Sequence, residues 1–201
     1  DEVSKKYIKF LSTKCGVVFL DKKILKRVGE TSRNRFADKF KAIFGNIFIK
    51  LLQSGKTIHI QMDISYGDAN HSNAILIYPN KKSYIIEHFE PNGLMKGETL
   101  KFMIDMRDYL ISTLNVNIKL VGSKHKNINV VGGGHCDAWS NVFHTLRIIY
   151  DKKTTEKMLN NISLLRLEGI VKDINKLHIN LRMSWSCDEL MEQFVKIFLI
   201  I

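Results

Sequence analysis

The stretch that decides the reading runs from His71 to Pro91: His-Ser-Asn-Ala-Ile-Leu-Ile-Tyr at 71–78, Pro-Asn-Lys-Lys at 79–82, and Ser-Tyr-Ile-Ile-Glu-His-Phe-Glu-Pro at 83–91. Residues 72–78 and 83–89 are rich in β-branched and aromatic side chains, and the turn-forming tetrapeptide Pro79-Asn80-Lys81-Lys82 separates them. Two such runs joined by turn chemistry predict a β-hairpin. A register in which Tyr78 faces Ser83 across the turn sets His71 opposite Glu90. A carboxylate across from a histidine on a neighbouring strand orients the imidazole and stabilises its protonated form. Glu87, the rival carboxylate, is three residues from Glu90, so a regular strand points the two to opposite faces.

Outward from the hairpin, residues 57–62 (Thr-Ile-His-Ile-Gln-Met) and 116–121 (Val-Asn-Ile-Lys-Leu-Val) alternate as further strands. Phe36, Phe40, Ile43, Ile47 and Leu51 recur at helical spacing, predicting an amphipathic helix over 33–54. A second helix is predicted over 98–114 and a buried one over 137–150, with Trp139 in the core. The chain after 150 is helical in pattern, and its end at 188–200 is basic and apolar. The first thirty residues read as basic and irregular. The expected fold class is α+β: a small central mixed or antiparallel sheet flanked by helices, within a single domain of 201 residues.

Gly132-Gly133-Gly134-His135 leads into Cys136, and Asp-Ala-Trp-Ser-Asn-Val-Phe-His-Thr-Leu follows. The predicted helix puts Cys136 at or near a helix N-terminus, where the helix dipole stabilises a thiolate. The glycines allow close backbone approach and expose N–H groups, so the Cys136 backbone N–H is a candidate oxyanion donor. With His71 as base and Glu90 orienting it, Cys136 becomes the candidate nucleophile for acyl transfer. The alternative reading of each residue is structural: a buried inert cysteine, a strand-end histidine, and His135 as a loop residue.

The order His, acid, Cys resembles the adenain and sentrin-protease superfamily of cysteine peptidases (clan CE type). The segment His88-Phe89-Glu90-Pro91-Asn92-Gly93 is similar to the Phe-Glu-Pro-Phe-Gly stretch of adenovirus proteases and the Phe-Glu-Pro of YopJ-type bacterial effectors. The segment Gly134-His135-Cys136-Asp137-Ala138-Trp139-Ser140 resembles the Cys-led helix of the superfamily, particularly that of uncharacterised large-DNA-virus proteins. The resemblance covers about 57–150, taken as a catalytic core between a basic N-terminal helical extension (1–56) and a C-terminal helical segment (151–201). It implies that His71 is base, Glu90 orients it and Cys136 attacks. Two departures stand out. Ser72 follows the histidine where sentrin proteases often have Trp. Six and seven residues before the cysteine, where those enzymes carry an oxyanion-hole Gln, this chain has Val130 and Asn129. Asn129 is therefore the candidate amide donor, with Asn127 as the alternative.

The implied activity is hydrolysis of peptide or isopeptide bonds after Gly, as a deubiquitinase or ubiquitin-like-protein protease. The implied partners are ubiquitin, a ubiquitin-like protein or a viral polyprotein, the last making the chain a polyprotein-processing protease. A YopJ-type acetyltransferase uses the same triad with acetyl-coenzyme A, but no coenzyme A segment is recognisable. The hydrolytic reading calls for no cofactor and no metal.

The net charge of +11, from 31 basic and 20 acidic residues, suits a polyanion such as nucleic acid or an inositol phosphate. A non-enzymatic nucleic-acid-binding module is thus a further alternative. The excess of Lys over Arg, with abundant Ile and Asn, is also what an AT-rich genome produces. No apolar run reaches the ~18 residues of a membrane span. The start at Asp1 is no secretory signal, and the missing initiator Met is expected of a fragment or processed product. Three cysteines (Cys15, Cys136, Cys187) are odd in number and sparse. They predict free thiols in a reducing compartment, cytoplasmic or nuclear, in an infected host cell on the viral reading, and no disulfide framework.

Overall fold

A computed structural model describes residues 2–26, 47–66, 69–93, 97–129 and 135–199. The fold is α+β, a five-stranded mixed sheet flanked by helices. The strands are β1 (Val18–Lys26), β2 (Ile58–Tyr66), β3 (Ala69–Asn80), β4 (Ser83–Phe89) and β5 (Asn117–Gly122), in sheet order β1-β2-β3-β4-β5. The inner pairs β2·β3 and β3·β4 are antiparallel, and the outer strands β1 and β5 join in parallel. The helices are α1 (Glu2–Lys14), α2 (47–53), α3 (Gly97–Leu114), α4 (Cys136–Ile149), α5 (Lys152–Asn161), α6 (Leu164–Asn180) and α7 (Cys187–Leu199).

Strand side chains alternate between the two faces, so the sheet separates two cores. Ile58, Ile60 and Met62 of β2, Ile75 and Ile77 of β3 and Ile86 of β4 pack with Phe48 and Leu52 of α2 and Phe102, Met103, Met106 and Leu110 of α3. The opposite parity, with Ala74, Leu76 and Phe89, packs with Trp139, Val142, Phe143 and Leu146 of α4 and with apolar residues of α1, α5, α6 and α7. Trp139 is buried in this core, as its helical position predicted.

Three sequence expectations need correction. Of the first thirty residues, 2–14 are helical and 18–26 form a strand, so the described part is not irregular. Tyr7, Phe10 and Leu11 of α1 enter the α4-side core, and β1 lies in the sheet, so α1 and β1 contribute to the main layers. Of the helix predicted over 33–54, residues 47–53 are helical; Phe36, Phe40 and Ile43 lie outside the described residues.

The hairpin register is also different. Asn80 pairs with Ser83 and Tyr78 with Ile85, so the turn holds only Lys81 and Lys82, with Lys81 at φ 56. Two-residue loops with positive φ match the right-handed twist of antiparallel strands better than a four-residue loop here. The slip is two residues. Continued past its last pair, the register sets His71 across from position 92. A one-residue slip inverts the faces, but a two-residue slip preserves them. His71 and Glu90 therefore remain on the same side.

Finally, the expectation of free thiols fails for two of the three. Cys15, just after α1, is disulfide-bonded to Cys187 at the start of α7, and Cys136 is free. Their separation of 172 residues hides the pair from any spacing argument; α1 and α7 bring the Cα atoms to 5.0 Å.

Candidate active site

The site lies where β3, the turn after β4 and the N-terminus of α4 meet. Cys136 is the first residue of α4, preceded by His135 at the cap position. Its exposure is 8%. The backbone N–H of Ser72 donates to Cys136 Sγ at 3.3 Å. The neighbouring His71 imidazole and the thiol each favour the charged form of the other.

His71 Nε2 meets Glu90 Oε1 at 2.5 Å, which leaves Nδ1 as the nitrogen for the thiol. Glu90 sits just beyond β4, in a turn closed by a 2.7 Å hydrogen bond from Gly93 N–H to Glu90 C=O. Pro91 suits that position because no backbone donor is needed from it. Gly93 is required by its surroundings. Its φ is +96°, and a Cβ there would stand 3.0 Å from the backbone N of Asn127.

Burial disfavours a charged His71, yet its bonds to Cys136 and Glu90 and the charge of both outweigh this, raising its pKa to about 9. Burial likewise opposes a Cys136 thiolate. The hydrogen bonds from His71 and the Ser72 N–H, with the imidazolium charge, prevail and lower its pKa, although Asp137 works against them. The arrangement therefore favours a thiolate–imidazolium pair.

Glu87 does different work. It is fully buried on the α4 side, bonded to the Arg147 guanidinium and the Tyr78 hydroxyl. The carboxylate that meets the histidine is Glu90, as the parity argument required.

Asn129 and Asn127 lie in the segment after β5. Asn129 Nδ2 donates to Asn92 Oδ1 at 3.2 Å, and its backbone N–H donates to Asn127 Oδ1 at 3.0 Å. The described contacts of Asn129 thus lie on the Glu90 side of the site, and Asn127 is exposed. Val130 and the Gly132–Gly134 run fall outside the described residues.

Sequence reasoning passed over several participants. Asn92 donates its backbone N–H to Glu90 Oε1 at 3.1 Å, and its side-chain amide lies 3.4 Å from His71 Nε2. Asp137 Oδ1 accepts from Gln61 Nε2 and lies 3.0 Å from Ser72 Oγ, which also bonds Asp63. His88, fully buried below the site, holds Asn73 Oδ1 through Nε2 at 2.9 Å. Burial keeps His88 neutral, with its pKa lowered to about 4. Only the adjacency of Asp137 to Cys136 and of Asn92 to Glu90 offered a signal in the sequence. Among the described residues no group of three or more His, Cys, Asp or Glu is arranged to hold a metal ion. No described helix is long and apolar enough to cross a membrane.

No family model matches the chain, and no curated protein sequence matches it. Solved structures give low-identity similarities. The chain is similar to the ASFV pS273R protease at 15% identity and TM-score 0.46, covering 96% of this chain and 63% of that one. It is similar to AvrA delL154, whose structure is described with IP6 and CoA, at 9% identity and TM-score 0.45, covering 98% and 69%. It is also similar to the Legionella pneumophila effector protein RavZ at 9% identity and TM-score 0.42, covering 98% and 70%. The chain spans under two thirds of the length of the pS273R protease.

Proposed function

We propose that this chain is a cysteine peptidase, with Cys136 as nucleophile, His71 as general base and acid, and Glu90 as the orienting carboxylate. The reading is supported above all by the His71–Glu90 contact, together with the position of the Cys136 sulfur at the first residue of α4, bonded to the N–H of Ser72, the residue next to His71. Nucleophile, base and orienter in hydrogen-bond sequence are what covalent acyl transfer requires. The raised pKa of His71 and the lowered pKa of Cys136 both favour the thiolate over the neutral thiol.

The thiolate attacks the scissile carbonyl carbon, and the electron pair of the C=O bond moves to oxygen. First-turn N–H groups of a helix lack intrahelical acceptors, so the Cys136 N–H is suited to that oxyanion. An amide from Asn129, or from Asn127, is the candidate second donor. Collapse of the intermediate breaks the C–N bond as His71 protonates the departing amine. Water, deprotonated by His71, then hydrolyses the thioester and restores the thiol.

The proposed substrate is a protein chain ending in Gly at the scissile bond: ubiquitin or a ubiquitin-like modifier, with a polyprotein cut at small residues as the alternative. The support for this is the likeness of the Phe89-Glu90-Pro91 and Cys136-led segments to the sentrin-protease superfamily.

The test is incubation with ubiquitin and ubiquitin-like suicide probes carrying a C-terminal electrophile. The expected result is a covalent adduct on Cys136, absent in Cys136→Ala and His71→Ala. An adduct unaffected by His71→Ala would overturn the triad. No adduct with any modifier, alongside cleavage of peptides at small residues, would move the substrate to the polyprotein class.

A further inference from the structure

Asp137 is the residue next to the candidate nucleophile, and its surroundings are more elaborate than those of a helix-end carboxylate. Negative charge in the first turn of a helix is favourable by itself, and that would explain an exposed Asp facing solvent. This Asp instead turns to the sheet. Its Oδ1 accepts from Gln61 Nε2 of β2 and lies 3.0 Å from the Ser72 hydroxyl of β3, whose single proton is shared with Asp63. Gln61 is fully buried and Ser72 is 3% exposed. Ser72 is bonded in turn to Asp63, its cross-strand partner on β2. Ser72 also supplies the backbone N–H that meets Cys136 Sγ, and it follows His71 directly. One side chain thus ties the start of α4 to the strand residue that holds the thiol, and to the neighbouring strand behind it.

Building on the catalytic reading above, we propose that Asp137 is a positioning residue, clamped by Gln61 and Ser72, that seats the N-terminus of α4 so that Cys136 Sγ meets the Ser72 N–H and the His71 ring.

The charge of Asp137 is a separate matter from its seat. As a carboxylate beside the sulfur it opposes the thiolate, so a residue selected only for thiolate stability would not be acidic here. Two effects of opposite sign follow, and they separate the roles. Removing the charge while keeping the acceptor lowers the thiol pKa. Removing the acceptor loosens the N–H and imidazole contacts and raises it. The other ionisable groups facing this region are His71 on β3, Glu90 after β4, Asp63 on β2 and His178 on α6. His178 senses Asp137 electrostatically, but burial lowers its pKa to about 4, so it stays neutral in the relevant range.

Cys136 is the free cysteine while Cys15 and Cys187 remain bonded. The pH dependence of alkylation by iodoacetamide therefore reads this thiol alone, in the full chain, without a substrate. Asp137→Asn keeps an acceptor for Gln61 and Ser72, and its midpoint is expected at or below the wild-type value. Asp137→Ala is expected to move the midpoint up by about one pH unit, slowing alkylation about tenfold at pH values below both midpoints. Gln61→Leu, which leaves Asp137 in place but removes its β2 donor, is expected to shift the midpoint the same way by a smaller amount. It also stands in if Asp137→Ala does not fold. Equal midpoints in wild type, Asp137→Ala and Gln61→Leu would overturn the clamp, as would Asn and Ala variants that shift down together, since charge would then be the only effect. A wild-type thiol that titrates like free cysteine would instead overturn the catalytic reading, which keeps the two failures distinguishable.

Discussion

The two faces of the sheet are both buried, but they are built from different chemistry. Beneath α3 the strands present Ile58, Ile60, Met62, Ile75, Ile77 and Ile86, a largely apolar surface against Phe102, Met103, Met106 and Leu110, with the buried Asn73–His88 pair as its polar exception toward the site. Beneath α4 the same strands present His59, Gln61, Asp63, Ser72 and Glu87 among Leu76 and Phe89, and all of these polar residues are 5% exposed or less. Each of those polar groups has a partner: His59 meets His144 at 3.1 Å, Gln61 and Ser72 meet Asp137, and Glu87 meets Arg147. Burial lowers the pKa of His59 to about 3, keeping that pair neutral. Apolar contact is non-directional and stabilises a range of helix placements. Paired polar groups stabilise one placement, because any other strands a buried donor or charge. The α3 face supplies adhesion, whereas the α4 face also fixes where the cysteine stands.

The sharpest test of that contrast is at the cysteine itself. Cys136→Ala and His71→Ala should each reduce turnover by roughly 10⁴-fold or more while the melting temperature stays near wild type. Comparable turnover from a folded Cys136→Ala protein would show that the α4 face positions something other than a nucleophile.

Next in size are two stability losses with different character. Phe102→Ala on the α3 face should cost about 3–5 kcal/mol by denaturant titration. Glu87→Ala on the α4 face should cost a similar ~3–5 kcal/mol, because it leaves the Arg147 charge largely buried without its partner. The contrast appears in rescue. A Glu87→Met, Arg147→Leu double variant should recover most of the loss, while no second polar change rescues Phe102→Ala. Failure of the double variant would mean that the pair is held for reasons beyond its own charge balance.

Glu90→Gln should be milder, with turnover reduced by roughly 10–100-fold and stability little changed. Greater loss of turnover per folded molecule in Glu87→Ala than in Glu90→Gln would exchange their roles. The pH profile sharpens the point. His71 is raised to about 9 from its ordinary 6.5. The stabilisation it contributes is complete below about 6.5 and is lost as pH rises through about 9. The thiolate–imidazolium form should therefore fade on the alkaline side near pH 9 as the ring loses its proton while the sulfur stays ionised, measured as kcat/KM or from the pH dependence of the His71 ring resonances by NMR. In Glu90→Gln that limb should move to lower pH, since one of the groups favouring the charged ring is gone. An unmoved limb would detach Glu90 from the histidine. The midpoints belong to the thiol and imidazole together, not to either alone.

The last of these effects concerns the disulfide. Reducing Cys15–Cys187 opens a 172-residue span, for which the chain-entropy account gives up to about 5 kcal/mol and measured cases often give much less. Reduction should lower the melting temperature without changing the wild-type alkylation midpoint of Cys136. A midpoint that moved on reduction would join the α1–α7 region to the site.

Much of this was legible in the chain itself. Period-two runs at 57–62, 72–78, 83–89 and 116–121 specified four of the five strands, and the apolar spacing at 98–114 specified α3, because burial imposes those periods on any sequence. Parity put His71 and Glu90 on one side even though the turn length was misread, since the side-chain period of a strand is two and the slip was two. The position of Cys136 at the start of a helix followed from the glycines and the apolar run behind them. Tertiary structure alone decided the rest. The alternation Ile58-His59-Ile60-Gln61-Met62-Asp63 reads as a strand with a wet face, and only the packing of α4 turned that face into a buried polar seam. The joining of Cys15 to Cys187, the incorporation of α1 and β1, the partnership of Glu87 with Arg147 and the clamp on Asp137 all unite residues far apart in the chain. Local propensity carries no information about such contacts, because their free energy arises only when separate elements are docked and their polar groups leave water together.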